Sequence, residues 1–309
     1  MGRDLRAVHR REDDGLILSE EHRPRSTRRR WFGRVVLLAL LAAVVLGGYV
    51  GGKGLLRNFG PPTCTAVAVP GGPEVTFSPE QMANASTIAG VSVKRGLPPR
   101  AASIAITTAI QESKLRNLRY GDRDSLGLFQ QRPSQGWGTA GQITDPVYAS
   151  NRFYDELVKI PGYQDERITE IAQQIQRSGY PEAYADHETE GRALASVLTG
   201  QSPAGLGCRL DPVEQGAATS AEGFAEELTH QTGLPARSAG RHVVEVDAGT
   251  ADHGWTAGAW AVAHAEADGV TSVTVGDRAW TRSRDESGAT WQRAGNPTGA
   301  AGKVRIRLG

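Results

Sequence analysis

The residue best placed to do acid chemistry is Glu112, in "IQESKLRNLRYGDRDSLGLFQQRP", Ile110 to Pro133. A carboxylic acid can protonate a poor leaving-group oxygen, such as that of a glycosidic bond, when its surroundings raise its pKa. Ala101, Ala105, Ala109 and Glu112 recur at the helical period and so share one face. Alanines let a second element approach closely, which leaves the carboxyl partly desolvated. Downstream, Gln130 and Gln131 bring amide donors and acceptors suited to sugar amides and hydroxyls. Phe129, Trp137 and Tyr148 offer ring faces for stacking on sugars. Asp122 and Asp124 in "GDRDS" are candidates for a second carboxylate. Two carboxylates acting on one glycosidic bond need a defined separation. The other reading of this aspartate pair is a turn beside Gly121, as the stretch between helices is itself either a site or a polar loop.

The elements that must hold these residues can be read outward from Glu112. Ser78, Pro79, Glu80 and Gln81 form a helix start, with a cap, a first-turn proline and a glutamine able to close a capping box. Met82, Ala85, Ala89 and Val93 follow at helical spacing, and Lys94, Arg95 and Gly96 stop that helix. Pro98 and Pro99 open the helix of Glu112, which runs to about Leu115. "PVYASNRFYDELVKI" and "ERITEIAQQIQRSG" predict further helices. Nothing between Ser78 and Thr199 alternates as a strand, so residues 78–208 read as an all-α domain. Residues 209–221 read as a linker. Residues 222–309 read as a small α+β domain, with helices at Ala221–Thr232 and in "WTAGAWAVAHAEADG". Its strands are expected in "HVVEVDA", "VTSVTV", "RAWTRS", "ATWQRA" and "KVRIRL".

The 309 residues carry a formal net charge of +1, which gives no global case for a nucleic-acid partner. Residues 1–34 are rich in arginine and read as a disordered cytoplasmic tail. "VVLLALLAAVVLGGYVGG", Val35 to Gly52, has no charge, with Trp31, Phe32 and Tyr49 where interfacial aromatics belong. A helix of about 20 such residues spans about 30 Å of hydrocarbon, so this run is expected to be a single transmembrane anchor. Arg28, Arg29, Arg30 and Arg34 before the run place the N-terminus in the cytoplasm and the bulk of the chain outside, with residues 53–77 as a linker. Cys64 and Cys208 would then lie on the oxidising side, bracket the helical domain and pair as a disulfide. The expected fold class is a single transmembrane helix, an all-α lysozyme-like domain and a small α+β domain.

"AITTAIQESKL" followed by "DSLGLFQQRP" resembles the E-S…G-L-M-Q-x-x-P signature of soluble lytic transglycosylases and goose-type lysozyme-like domains. "SQGWGTAGQITDPVYASNRFYDELVKIPGY" and "ITEIAQQIQRSGYPEAYADHE" resemble a subgroup found in actinobacterial and phage cell-wall hydrolases. The resemblance covers about residues 78–190. It implies a helical lysozyme-like fold and peptidoglycan glycan strands as substrate, with no cofactor. Glu112 matches the family's catalytic acid, and Ser113 the residue beside it. Gly127, Leu128, Phe129 and Gln130 match the G-L-M-Q block, with phenylalanine for methionine. The family's A-Y-N-x-G block falls near "IQRSG", where Gln176 or Arg177 replaces the Tyr-Asn pair. By this resemblance Ser113, Gln130 and Gln176 join Phe129, Gln131 and Tyr148 as substrate-binding candidates.

"GWTAGAWAVAHAEADGVTSVTVGDRAWTR" resembles a C-terminal module of actinobacterial wall proteins related to zinc-dependent DD-peptidases. The zinc-binding pattern has decayed. Arg305 and Arg307 stand where two histidines would, and arginine cannot ligate zinc. His242, Asp247, His253 and His264 remain, scattered, and no metal is expected. The reading is a membrane-anchored enzyme cleaving glycan strands. The alternative is a non-catalytic wall-binding or scaffold protein with two recognition modules.

Overall fold

The computed structural model describes residues 27–176, 181–214, 216 and 218–309, and within these the side chains of 27–30, 33, 49–59 and 181 are not described. The expected tail, up to residue 26, and Arg177 lie outside the described residues. Among the described residues the chain is mixed α+β, 48% helical, with ten α-helices and two antiparallel sheets. It divides into two compact units, residues 1–57 and residues 58–309.

The first unit corrects the expected anchor. Helix α1, Thr27–Phe59, covers the uncharged run. Among the described residues, however, no helix is long and apolar enough to cross a membrane. Single-pass anchoring and the topology built on it are therefore not supported.

The fold class is also corrected in the second unit. The expected linker contains two strands, β1 (Thr63–Val67) and β2 (Glu74–Phe77). With β3 (Leu206–Arg209) they make a three-stranded sheet in the order β2-β1-β3. Cys64 faces Cys208 in the β1–β3 register, and the two are joined by a disulfide. β1 alternates between buried and half-buried positions, so its residues form a strand despite the Pro- and Gly-rich flanks.

The helices that position Glu112 form the adjoining core. Helix α2, Pro79–Lys94, begins with the capping box anticipated at Ser78 and Gln81. Helix α3, Pro99–Ser113, is buried on nearly every side, with Ile104, Ile106 and Ile110 among its core residues. A short helix, α4 (Ala140–Ile143), precedes α5 (Pro146–Leu157), and α6 (Ile168–Gln176) follows. Helix α7, Glu188–Leu198, lies tight against α3 at Gly191. A Cβ on Gly191 would sit 2.0 Å from Thr107 Oγ1.

The remaining residues build a six-stranded antiparallel sheet in the order β4-β5-β9-β6-β7-β8. Its strands are β4 (Ala236–Gly240), β5 (Val243–Asp247), β6 (Val270–Val275), β7 (Arg278–Thr281), β8 (Gln292–Arg293) and β9 (Lys303–Leu308). Helices α8 (Ala221–Thr232) and α9 (Ala251–Ala263) pack on one face of it, followed by the short α10 (Ala265–Asp268). These elements join α2 through buried polar contacts. Gln231 Oε1 accepts from both Thr87 Oγ1 and the Trp260 indole at 2.8 Å. His264 is buried, stacked on Trp260 with ring centroids 3.9 Å apart and within 3.3 Å of Ser86 Oγ.

Candidate active site

Glu112 is the penultimate residue of α3, and the chain reverses directly after it. Lys114 caps the helix in the left-handed region (φ 56), and Leu115 follows with φ 58. Two successive non-glycine residues in that region store strain, about 1–3 kcal/mol each. The surroundings hold them there. Gln81 Nε2 donates to the Lys114 carbonyl at 2.6 Å, and Asn84 Nδ2 to the Leu115 carbonyl at 2.8 Å. Leu115 is fully buried. The residue that closes the α2 capping box thus also clamps the turn that follows Glu112.

The loop after this turn is pulled back onto the end of α3. The Ser113 hydroxyl is buried and donates to the Leu128 carbonyl at 2.8 Å. Gly127 N donates to the Leu118 carbonyl at 2.7 Å, and Leu126 and Gln131 exchange backbone bonds at 2.9 and 3.0 Å. Gly127 has φ +75, and a Cβ there would lie 2.5 Å from the Ile143 carbonyl oxygen, so only glycine fits. This part of the Gly-Leu-Phe-Gln block is backbone architecture.

Two further residues meet Glu112. The Tyr184 hydroxyl donates to Glu112 Oε1 at 2.6 Å from a 3-10 turn, Pro181–His187. Gln176, the last residue of α6, hydrogen-bonds the Glu112 carboxyl and donates through Nε2 to the Phe129 carbonyl at 2.7 Å. Burial pushes the Glu112 carboxyl above the ordinary range, opposed by the bonds from Tyr184 and then Gln176. A half-buried, hydrogen-bonded carboxyl of this kind can hold a proton and release it to a basic oxygen. Gln176 also borders a cleft of about 470 Å³, together with Trp137, Arg152, Lys159, Gln174 and Ile175.

The other sequence candidates are placed differently. The Phe129 ring is buried and stacks on Phe153 at 4.7 Å, so its contribution near Glu112 is its carbonyl. Gln131 is buried, and its amide donates to the Ala149 carbonyl at 3.2 Å. Gln130 (φ 47) folds over its own loop, donating to the Gly127 carbonyl at 3.2 Å and leaving no room for a Cβ at Gly121. The Tyr148 hydroxyl donates to the Trp137 carbonyl at 3.3 Å, which ties α5 to the cleft wall. Asp124 accepts from Arg132 Nε and Ser134 N, both at 2.8 Å, and from Ser134 Oγ at 3.0 Å. These bonds, Arg132 foremost, hold its carboxyl far below the usual carboxylate range, so it is a loop clamp and no proton donor. Asp122 is exposed, 3.9 Å from Arg123.

Tyr184 was not singled out in sequence, although it lies in the quoted "YPEAYADHE". Its partner is 72 positions away, and a 3-10 turn presents no helical or strand periodicity. Beside it, Lys114 Nζ lies 3.2 Å from His187 Nε2, and His187 Nδ1 lies 3.0 Å from Glu190. Among the described residues, no group of three or more His, Cys, Asp or Glu side chains converges as metal ligands would. No family model matches the chain, and no curated protein matches it.

Proposed function

We propose that this protein cleaves peptidoglycan glycan strands, with Glu112 as the single catalytic acid and base. The observation that carries the reading is the Glu112 carboxyl itself. Burial raises its pKa, the Tyr184 hydroxyl donates to it at 2.6 Å, and Gln176 links it to a cleft of about 470 Å³. The order of motifs around it, lytic transglycosylase-like and goose-type lysozyme-like, supplies the substrate class.

In this mechanism the protonated Glu112 gives its proton to the oxygen linking N-acetylmuramic acid to N-acetylglucosamine. The bond from the muramyl anomeric carbon to that oxygen breaks, and the acetamido oxygen of the same sugar bonds to the carbon. Glu112, now a carboxylate steadied by Tyr184 and Gln176, removes a proton from the muramyl 6-hydroxyl or from water. That oxygen displaces the acetamido group, giving an anhydro or a hydrolysed product. No second carboxylate is required, in keeping with Asp124 being committed to Arg132 and Ser134.

Digestion of purified sacculi, with mass analysis of the soluble fragments, tests the reading. Fragments with anhydro-muramyl or reducing muramyl ends are the expected result. Saturable binding of the sacculi without any release of fragments would instead make this a recognition protein.

A further inference from the structure

We infer that the uncovered face of the six-stranded sheet binds a linear polyol phosphate chain through Arg305 and Arg307. Both helices that pack on this sheet, α8 and α9, lie on one face. The Phe224 and Trp260 rings meet there at 5.3 Å, over the buried Val244, Val273 and Ile306. Along β9 burial alternates, with Val304, Ile306 and Leu308 inward and Lys303, Arg305 and Arg307 outward. On the outward side Lys303 and Arg307 are exposed and Arg305 is half-buried.

Charge is sorted between the layers. Glu222, Glu226 and Glu227 ride on α8, and Asp252 on α9, while the strands carry mostly arginine and lysine. A depression of about 270 Å³ opens on the outward face, bordered by Arg237, Glu245, Asp247, Thr298, Lys303 and Arg305. Within it, Arg237 pairs with Glu245, and Lys303 with Asp247. Arg305 is left over: among the described residues neither it nor Arg307 has an ion-pair partner. Two residues apart on one strand, they project from the same face about 7 Å apart. Guanidinium groups bind phosphate oxygens by paired hydrogen bonds, and such a pair suits an anion that repeats along a chain.

The neighbouring rows choose the chain between the charges. On β6, Thr274 lies opposite Arg305 and Ser272 opposite Arg307, with Thr281 beyond Ser272, while on β5 Glu245, paired with Arg237, lies opposite Arg305 and Val243 opposite Arg307. These hydroxyls suit a hydroxylated backbone. Single-stranded nucleic acid would need exposed rings for base stacking. All four tryptophans on residues 236–309 (Trp255, Trp260, Trp280 and Trp291) are buried, and that stretch has no tyrosine or phenylalanine.

The test is equilibrium binding of fluorescent poly(glycerol phosphate) to the full chain carrying Glu112→Gln, so that glycan cleavage is not part of the readout. Two neutralised phosphates set an expected slope of log K against log salt of about −1.4. Arg305→Gln with Arg307→Gln is expected to weaken binding at least tenfold and to flatten that slope. Thr274→Glu, which adds a carboxylate on the β6 side of Arg305 to the Glu245 already opposite it on β5, is expected to do the same with both arginines present. Thermal melts check that the variants are folded. No binding at 50 mM salt (about 14 Å Debye length), binding untouched by both variants, or equal affinity for oligothymidylate would each overturn the inference.

Discussion

Gly191→Ala tests the packing that sets the position of Glu112. The added Cβ would lie 2.0 Å from Thr107 Oγ1 and 2.9 Å from Thr107 N, where an ordinary contact is 3.4–4 Å. The nearest atom is on a short, buried side chain, so helices α3 and α7 must part. Overpacking of this kind costs about 1–3 kcal/mol or more. Alanine gains about 1 kcal/mol of helix propensity over glycine, which offsets part of it. The expected net loss is about 1–2 kcal/mol, read from the urea midpoint at constant slope. Thr107 Oγ1 is buried without a hydrogen-bond partner among the described residues, so Thr107→Ala removes the closest clashing atom without breaking a bond, leaving the milder contact with Thr107 N. The double variant should therefore recover about 1 kcal/mol relative to additivity. Parting α3 from α7 also displaces Glu112, and a shift of about 1 Å costs up to a hundredfold in rate. A Gly191→Ala protein at least as stable as the parent, or a double variant that is merely additive, would refute this packing argument.

Glu112→Gln should raise the melting temperature at pH 7 and have little effect at pH 4. The folded pKa of Glu112 is raised, so its stability contribution is full below the unfolded carboxylate value and is lost as pH rises through the folded value. A difference that is independent of pH would count against a buried carboxyl. Tyr184→Phe and Gln176→Leu each remove a bond to the ionised carboxyl, so the alkaline limb of the rate–pH profile should move to higher pH. Movement to lower pH would show that these groups stabilise the protonated form. Reduction of Cys64–Cys208, separated by 144 positions, should cost up to about 5 kcal/mol on the loop-entropy model. An unchanged urea midpoint under reductant would show that the β1–β3 ladder alone holds the ends of the helical core.

The helices around Glu112 were readable because their signals are local. Ser78 and Gln81 announce α2, and the two prolines at 98 and 99 announce α3. The strands β1 and β2 were hidden, being short and enclosed by Pro- and Gly-rich sequence that also reads as linker. β4, "ARSAG", has no alternation of large residues to reveal it. The uncharged run of α1 shows the converse error, since composition alone suggested a span that the described helix does not supply. Around Glu112, residue types pointed to the loop that folds back onto the end of α3, while side-chain directions depended on long-range packing. Phe153 captures the Phe129 ring, and Ala149 captures the Gln131 amide. Tyr184, whose hydroxyl donates to the Glu112 carboxylate, arrives from a segment whose position only the folded chain defines.

The central claim is that Glu112 is the proton donor for glycan cleavage. The most direct measurement compares the parent protein with Glu112→Gln on the same purified sacculi, counting muramyl fragments released by mass spectrometry. Glutamine keeps the shape and cannot give up a proton to the leaving oxygen, so release is expected to fall at least a hundredfold while sacculus binding persists. Equal release by the variant would contradict the assignment.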